Sequence, residues 1–397
     1  MKKVLIWNSD IPLKNAGGPG GYLYNIHEYL KSNPCEQIVF LSELLGKSQN
    51  TGYPSKLKKI IYDISDKFCV FAFLLDIYML HRMYKRKKIS VSIDLNQYDV
   101  IHFHNVFNLI NYRAYLNNYK GKIMLTSHMP EPPIAEISHS FRVIGPFLRK
   151  HQEFVIQKEL DIIKKYNPVW MFPAKDAMEP YTGLSKTYSN YFKSIEQNLR
   201  FVPTCILDKK IERTDDIFVQ YGIHKGAFVI SFIGRHNEIK GYPILKQIAE
   251  RVLSAHDNVY FVIGGKEEPL KGLNHNHWIE LGWINNSHEI IANSDLFILP
   301  NQQTYFDLIF IEVLRAGTAI LATYTGGNKY FDKELNKQET LGIKYFTYND
   351  VENAVAKIED ILKQDTKELG RHNRLLWEKY FTISQYVKNY TSLIDKL

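Results

Sequence analysis

Cysteine is scarce in this sequence of 397 residues: Cys35, Cys69 and Cys205 are the three, with no CxxC pair and no metal-ligand spacing. That argues against a disulfide framework and points to reduced thiols in a cytosolic setting. No run of about 18 apolar residues occurs, so no segment reads as spanning a bilayer. The opening Met-Lys-Lys leads directly into Val4-Leu5-Ile6-Trp7, too short an apolar stretch for a secretory signal, and a cytoplasmic location is expected. Catalytic signatures are missing as well. There is no nucleophile elbow, no HExxH and no P-loop, which argues against hydrolase, zinc-protease and P-loop kinase chemistry. No DxD pair sits between two strands, so no obligatory metal and no resident cofactor is expected.

What is present describes a soluble α/β protein. Apolar residues make up 45% and charged residues 23%, and the length suits two domains, each with its own core. The net charge of +8 concentrates in Lys56–Lys59 and His81–Lys88. Between these clusters lie the apolar stretches Phe68–Leu75 and Ile77–Leu80. An apolar helix flanked by cations suits an anionic membrane surface, and equally an ordinary domain helix with a solvated basic tail. Nucleic acid is not an expected partner, because no stacking or helix-turn-helix pattern accompanies the charge.

Short apolar runs alternate with helical stretches, the pattern of parallel sheets. In the first half, strands are expected at Lys3–Trp7, Ile38–Leu41, Val100–Phe103, Ile123–Thr126 and Val169–Phe172. A glycine loop (Gly17–Gly21) precedes a helix over Tyr22–Leu30. A second set of strands comprises Phe228–Ile233, Val259–Ile263, Trp278–Leu281, Leu296–Leu299, Ala319–Ala322 and Lys344–Phe346. Their helices fall at Pro243–Ala255, Ser287–Asn293, Leu308–Ala316 and Val351–Gln364. The linker falls near Pro203–Thr214, and Lys367–Leu397 is helical in pattern, placed to cross back onto the first domain. Two facing α/β domains would leave a ligand cleft between them.

The polar residues cluster where such sheets bind ligands, at the carboxyl ends of strands. Arg235 and Lys240 follow the strand Phe228–Ile233, and an Arg fork with a mobile Lys suits a diphosphate. Glu312 lies within the apolar run Leu308–Gly317, where a carboxylate needs ribose hydroxyls or a nearby cation as partner. The four glycines Gly17, Gly18, Gly20 and Gly21 let backbone amides approach an anion, although the pattern is not GxGxxG. His128 ends one strand and His102 and His104 another, positions that point side chains toward a ligand.

These residues resemble the GT-B glycosyltransferases, and within them glycosyltransferase family 4. The resemblance covers most of the chain and is strongest over Phe228–Phe331. Gly234-Arg235 with Lys240-Gly241 is similar to the family's donor-phosphate loop. Leu281-Gly282-Trp283 and the run Ile291–Pro300 resemble its nucleobase loop and following strand. Phe306, Glu312, Ala316-Gly317 and Gly326-Gly327 fall at further family positions. The first half matches more thinly, at Gly17–Gly21, Asp99–His104 and Thr126–His128. One departure stands out: Thr304 replaces the first of the family's two glutamates, and Asp307 replaces a glycine.

The resemblance implies two facing Rossmann-like domains with an interdomain cleft: an acceptor-binding domain over 1–205 with a basic, apolar insertion at about 50–90, a nucleotide-sugar domain over 206–375, and a C-terminal helix, 376–397, packing on the first. It implies retaining transfer of a sugar from a nucleoside-diphosphate donor, a UDP-sugar among the candidates, to a glycan, lipid-linked or protein-linked acceptor in surface polysaccharide synthesis. Arg235 and Lys240 would hold the diphosphate and Glu312 the ribose. Amides at Asp307, Leu308, Ile309 and Gly18 would frame the phosphates, and His128 would support the sugar. Two other readings stay open. A catalytically silent partner of another transferase is motivated by Thr304. A sugar-nucleotide epimerase would need acid and base groups such as Glu131 and Asp10.

Overall fold

The computed structural model describes residues 1–12, 17–46, 67–89, 92–211, 213–214 and 217–397; the basic run Lys56–Lys59 lies outside them. The chain forms two compact units. The first comprises Met1–Pro173, Met178–Val202 and Val387–Leu397, and the second Ala174–Ala177 with Pro203–Tyr386.

The first unit is built on a six-stranded sheet: β1 (Val4–Trp7), β2 (Ile38–Phe40), β3 (Val100–Phe103), β4 (Lys122–Leu125), β5 (Val169–Phe172) and β6 (Leu199–Phe201). Its order is β2-β1-β3-β4-β5-β6, and every pairing is parallel. All residues of β1, β3 and β5 are buried. Continuous apolar runs replace alternation because helices cover both faces of a parallel sheet. The edge strand β6 is at most half-buried with a central arginine, so its short run carries no such signal. The C-terminal residues return to this unit, where Asp395 accepts hydrogen bonds from the Lys2 amide (2.8 Å) and the Gln37 side chain (3.0 Å).

One expectation fails here. The glycine segment is not a loop, because the helix Gly17–Ser32 starts at its first residue. Pro19 falls in the first turn, where an amide is not needed. Burial of Tyr22, Leu23, Ile26 and His27 then outweighs the cost of about 1 kcal/mol per helical glycine.

The second unit holds β7 (Phe228–Ile233), β8 (Val259–Gly264), β9 (Trp278–Gly282), β10 (Leu296–Leu299), β11 (Ala319–Thr323) and β12 (Ile343–Phe346). Its order is β12-β11-β10-β7-β8-β9, again parallel throughout. The helix Tyr242–Ala255 buries Ile244, Leu245, Ile248, Val252 and Leu253 against this sheet, the spacing of one apolar helical face. The expected helical stretch at the C-terminus is two helices, Thr366–Tyr380 and Ile383–Lys396. Between them the carbonyl of the fully buried Phe381 accepts from the Ile206 amide at 3.2 Å, a bond that a continuous helix would forbid.

Candidate functional site

In the second unit the strand order reverses direction between β7 and β10, so a crevice opens at their carboxyl ends, where parallel sheets take ligands. The turn after β7 carries Arg235, which is exposed, and Lys240, which is half-buried. The Asn237 side chain accepts from the Lys240 amide at 3.0 Å and so shapes the turn. Gly241 then closes it with φ +67°, and a Cβ there would collide with the carbonyl oxygen of Pro300. Only glycine fits that approach.

The segment after β10 is held against this turn. The Gln302 amide donates to Ile239 at 3.0 Å, and Thr323 Oγ1 donates to the Asn301 carbonyl at 2.6 Å. On its far side Gly326, at φ +45°, packs on the Thr304 carbonyl with no room for a Cβ. Asp307 ends the segment as the N-cap of the helix Leu308–Ala316, with the extended backbone of a cap but no side-chain capping bond. Its carboxylate instead meets Lys240 Nζ at 2.7 Å and accepts from Asn301 Nδ2. Among the described residues, no acceptor serves the amides of Leu308 and Ile309, which face outward from the positive end of the helix dipole.

One turn further along that helix, on the face of Leu308, stands Glu312. Burial raises its pKa, while Arg315 and then Lys209 pull it back. Its carboxylate has no hydrogen bond or ion pair among the described residues. Arg315 is near enough to act on that charge but forms no ion pair with it, and its Nη1 donates instead to the Leu207 carbonyl at 2.8 Å. Thr304 is also unpartnered, its hydroxyl being buried without a hydrogen bond. Phe306 is a packing residue, stacked on Phe331 with centroids 5.6 Å apart. Trp283, just past β9, is 72% exposed.

The first unit has its own reversal, between β1 and β3. Residues at those strand ends come together as a histidine cluster. The Thr126 hydroxyl donates its one proton to the Met171 carbonyl (3.1 Å), so it must accept from His102 Nε2 (2.9 Å). His102 Nδ1 then accepts from the Tyr390 hydroxyl at 2.7 Å, which fixes the tautomer of a neutral ring. His104 packs tilted against His102 with ring centroids 3.8 Å apart, and its Nδ1 lies 3.0 Å from His128 Nε2. Burial keeps all three rings neutral, lowering His128 to about 4. His128 is aimed by its neighbours, since the Tyr181 hydroxyl bonds both Ser127 Oγ (2.7 Å) and the Met129 carbonyl (2.9 Å). Tyr22, in the second turn of the helix Gly17–Ser32, packs on His128 with ring centroids 4.7 Å apart. The first turn holds Gly17, Gly18 and Gly20, so the structure gathers that helix start and His128 within one unit.

Residue by residue, Arg235, Lys240, Thr304, Asp307, Leu308, Ile309 and Glu312 all lie along the two segments that leave β7 and β10. Phe306 points into packing and Trp283 to the surface. Sequence reasoning missed Asn301, Tyr22 and the cluster around His236. His236 is fully buried and stacked on Tyr242 at 4.1 Å, next to Glu280, which accepts from Tyr242 Oη at 2.6 Å and Trp278 Nε1 at 2.7 Å. Its adjacency to Arg235 was the available signal. Among the described residues no group of three or more His, Cys, Asp or Glu is placed to hold a metal ion.

Residues 227–364 match the family of glycosyl transferases, group 1. That span is most of the second unit and includes Arg235, Lys240, Thr304, Asp307 and Glu312. Spore coat protein SA of Bacillus subtilis (strain 168) is 26% identical over 199 residues, which are 45% of this chain and 51% of that protein. The match thus spans about half the length of that relative. Among solved structures, HepE of Anabaena in complex with UDP-glucose superposes with a TM-score of 0.62 at 12% identity, covering 100% of both chains. The catalytic domain of starch synthase IV from Arabidopsis thaliana, bound to ADP and acarbose, gives 0.64 at 14% identity over 100% of this chain and 99% of that one. The fold is therefore GT-B, with two Rossmann-like units.

Proposed function

We propose that this chain is a glycosyltransferase that moves a sugar from a nucleoside-diphosphate donor to a hydroxyl acceptor, with retention at the anomeric carbon. Glu312 carries the reading. A half-buried carboxylate without a hydrogen bond or ion pair, one turn beyond two open amides of a helix whose N-cap residue Asp307 meets Lys240, suits a ligand with a phosphate at one end and paired hydroxyls next to it. The match to glycosyl transferases and the UDP and ADP held by structures of the same fold support it.

In this reading, cleavage of the sugar–oxygen bond leaves negative charge on the diphosphate. Lys240, Arg235 and the amides of Leu308 and Ile309 stabilise that charge as it develops. Glu312 holds the ribose. Thr304 reads a sugar hydroxyl where the family carries a glutamate, a role supported by its buried hydroxyl having no hydrogen bond. In the first unit His128, held neutral, supports the sugar as a hydrogen-bonding group rather than as a cation, and Gly18 lends an amide. The acceptor is a glycan, a lipid-linked sugar or a protein, taken by the first unit. Calorimetry tests the reading directly. UDP or ADP should bind at least about tenfold more tightly than its monophosphate, as expected for one added charge-assisted contact. Equal binding, or none, removes the diphosphate site.

A membrane surface is part of the same proposal. The helix Cys69–Tyr84 docks by one face: Asp76 is buried and accepts from the amides of Val143 (2.7 Å) and Ile144 (3.1 Å). The other face leaves Val70, Phe73, Leu74, Ile77 and Tyr78 exposed, followed by exposed His81, Arg82 and Lys85–Lys88. No helix among the described residues is long and apolar enough to cross a membrane. A ridge of apolar side chains ending in cations fits attachment to an anionic leaflet. Replacing Lys85, Arg86, Lys87 and Lys88 by Gln should cut sedimentation with phosphatidylserine vesicles by at least about tenfold, at roughly 1 kcal/mol per cation. Unchanged sedimentation rejects the membrane.

A further inference from the structure

The carboxylate on Lys240 has no counterpart in the reading of this turn as a bare phosphate grip. Lys240 and Asp307 are both about one-fifth exposed at the side chain, 22% and 20%, so their ion pair is shielded but reachable by a ligand. Asp307 has the backbone of an N-cap, φ −70° and ψ 128°, and an aspartate there ordinarily accepts from an amide of the helix's first turn. Here it leaves those amides open and turns to Lys240 and Asn301. Asn301 is fully buried, and its Oδ1 has no partner, so its amide group is committed to orienting Asp307. The crevice therefore carries its own anion, tethered at the position from which a phosphate would reach Lys240.

We propose that Asp307 is an affinity-setting residue of this site, an internal carboxylate that competes with the ligand's diphosphate for Lys240 and weakens the hold on it. The inference rests on the nucleoside-diphosphate reading given above. A lysine has three donors and could touch both anions, but two like charges sharing one ammonium repel at this depth. Arrival of the diphosphate thus displaces Asp307 from Lys240. Departure of the product lets it return, so the same contact that lowers affinity speeds release.

Asparagine is the discriminating substitution, since it keeps the shape and can still accept from Asn301 while losing the charge. UDP and ADP are titrated calorimetrically into the wild type, Asp307→Asn, Lys240→Met and the double variant, each checked first by its melting curve. Asp307→Asn should bind the preferred nucleotide about tenfold more tightly, the low end of the effect of removing a neighbouring like charge. In the Lys240→Met background the same change should move affinity by less than about twofold, because the coupling runs through the lysine. Unchanged or weaker binding by a folded Asp307→Asn overturns the competition and leaves the diphosphate reading standing. Equal tightening with and without Lys240 overturns it too, as general repulsion. Absence of nucleotide binding in every protein sinks the underlying reading, and this inference with it.

Discussion

Replacing Lys240 by methionine is expected to lower sugar transfer, or donor hydrolysis in the absence of acceptor, by about a hundredfold or more, the effect of deleting one fixed stabiliser of developing charge. Methionine keeps most of the apolar stem and removes the ammonium alone. Arg235 does not substitute, because it stands exposed at the far end of the same turn while Lys240 is drawn in toward the helix Leu308–Ala316. The fold should survive. The lost ion pair is partly exposed and adds at most about 1 kcal/mol, and Asn301 still donates to the orphaned Asp307. A melting midpoint within a few degrees of wild type, together with the kinetic loss, assigns Lys240 to the chemistry. Full retention of activity discards the diphosphate grip. A wild type that binds nucleotide yet turns nothing over revives the silent-partner reading that Thr304 motivates.

Much of this site was legible because its residues are local. Arg235 and Lys240 follow a buried strand and end at a glycine, and the helix Leu308–Ala316 announces itself by apolar spacing with a single carboxylate inside it. Buried strands such as β1, β8 and β10 read as continuous apolar runs for the same reason. What stayed hidden is long-range. The tautomer of His102 depends on Tyr390, 288 positions later, and the charge balance at Lys240 depends on Asp307, 67 positions later. No periodicity encodes such pairs. The helix Cys69–Tyr84 is apolar nearly all round, so its pattern could not reveal which face Asp76 would turn inward. The glycine segment misled because propensity favours a loop there, and tertiary burial behind Tyr22 overrode it.

The first unit also contains a titratable group that the site does not use, and it has the second large expected effect. Glu159 is 1% exposed and accepts from Tyr188 Oη at 3.1 Å and Tyr84 Oη at 3.4 Å. Burial pushes its pKa up to about 7, against the pull of both hydroxyls. The folded state therefore holds a proton that the unfolded chain releases near its ordinary carboxylate value. Stability from this group is complete below about pH 4.5, falls as pH rises, and is gone above about 7. Glu159→Gln removes the ionisation and keeps the shape. The variant should match wild type at pH 4.5 and exceed it by about 3 kcal/mol at pH 8, the order of effect expected when burial lifts a carboxyl from its ordinary range to about 7. His102, His104 and His128 act in the opposite sense, since rings held neutral by burial destabilise the fold as pH drops below about 6.5. They are common to both proteins, so their contribution cancels in the difference. Scanning calorimetry of the pair between pH 4.5 and 8 reads that difference as a shift of several degrees at the alkaline end. A gap that is flat with pH means that the two tyrosine hydroxyls offset the desolvation of Glu159. A gap that grows toward acid means that the carboxylate is held charged.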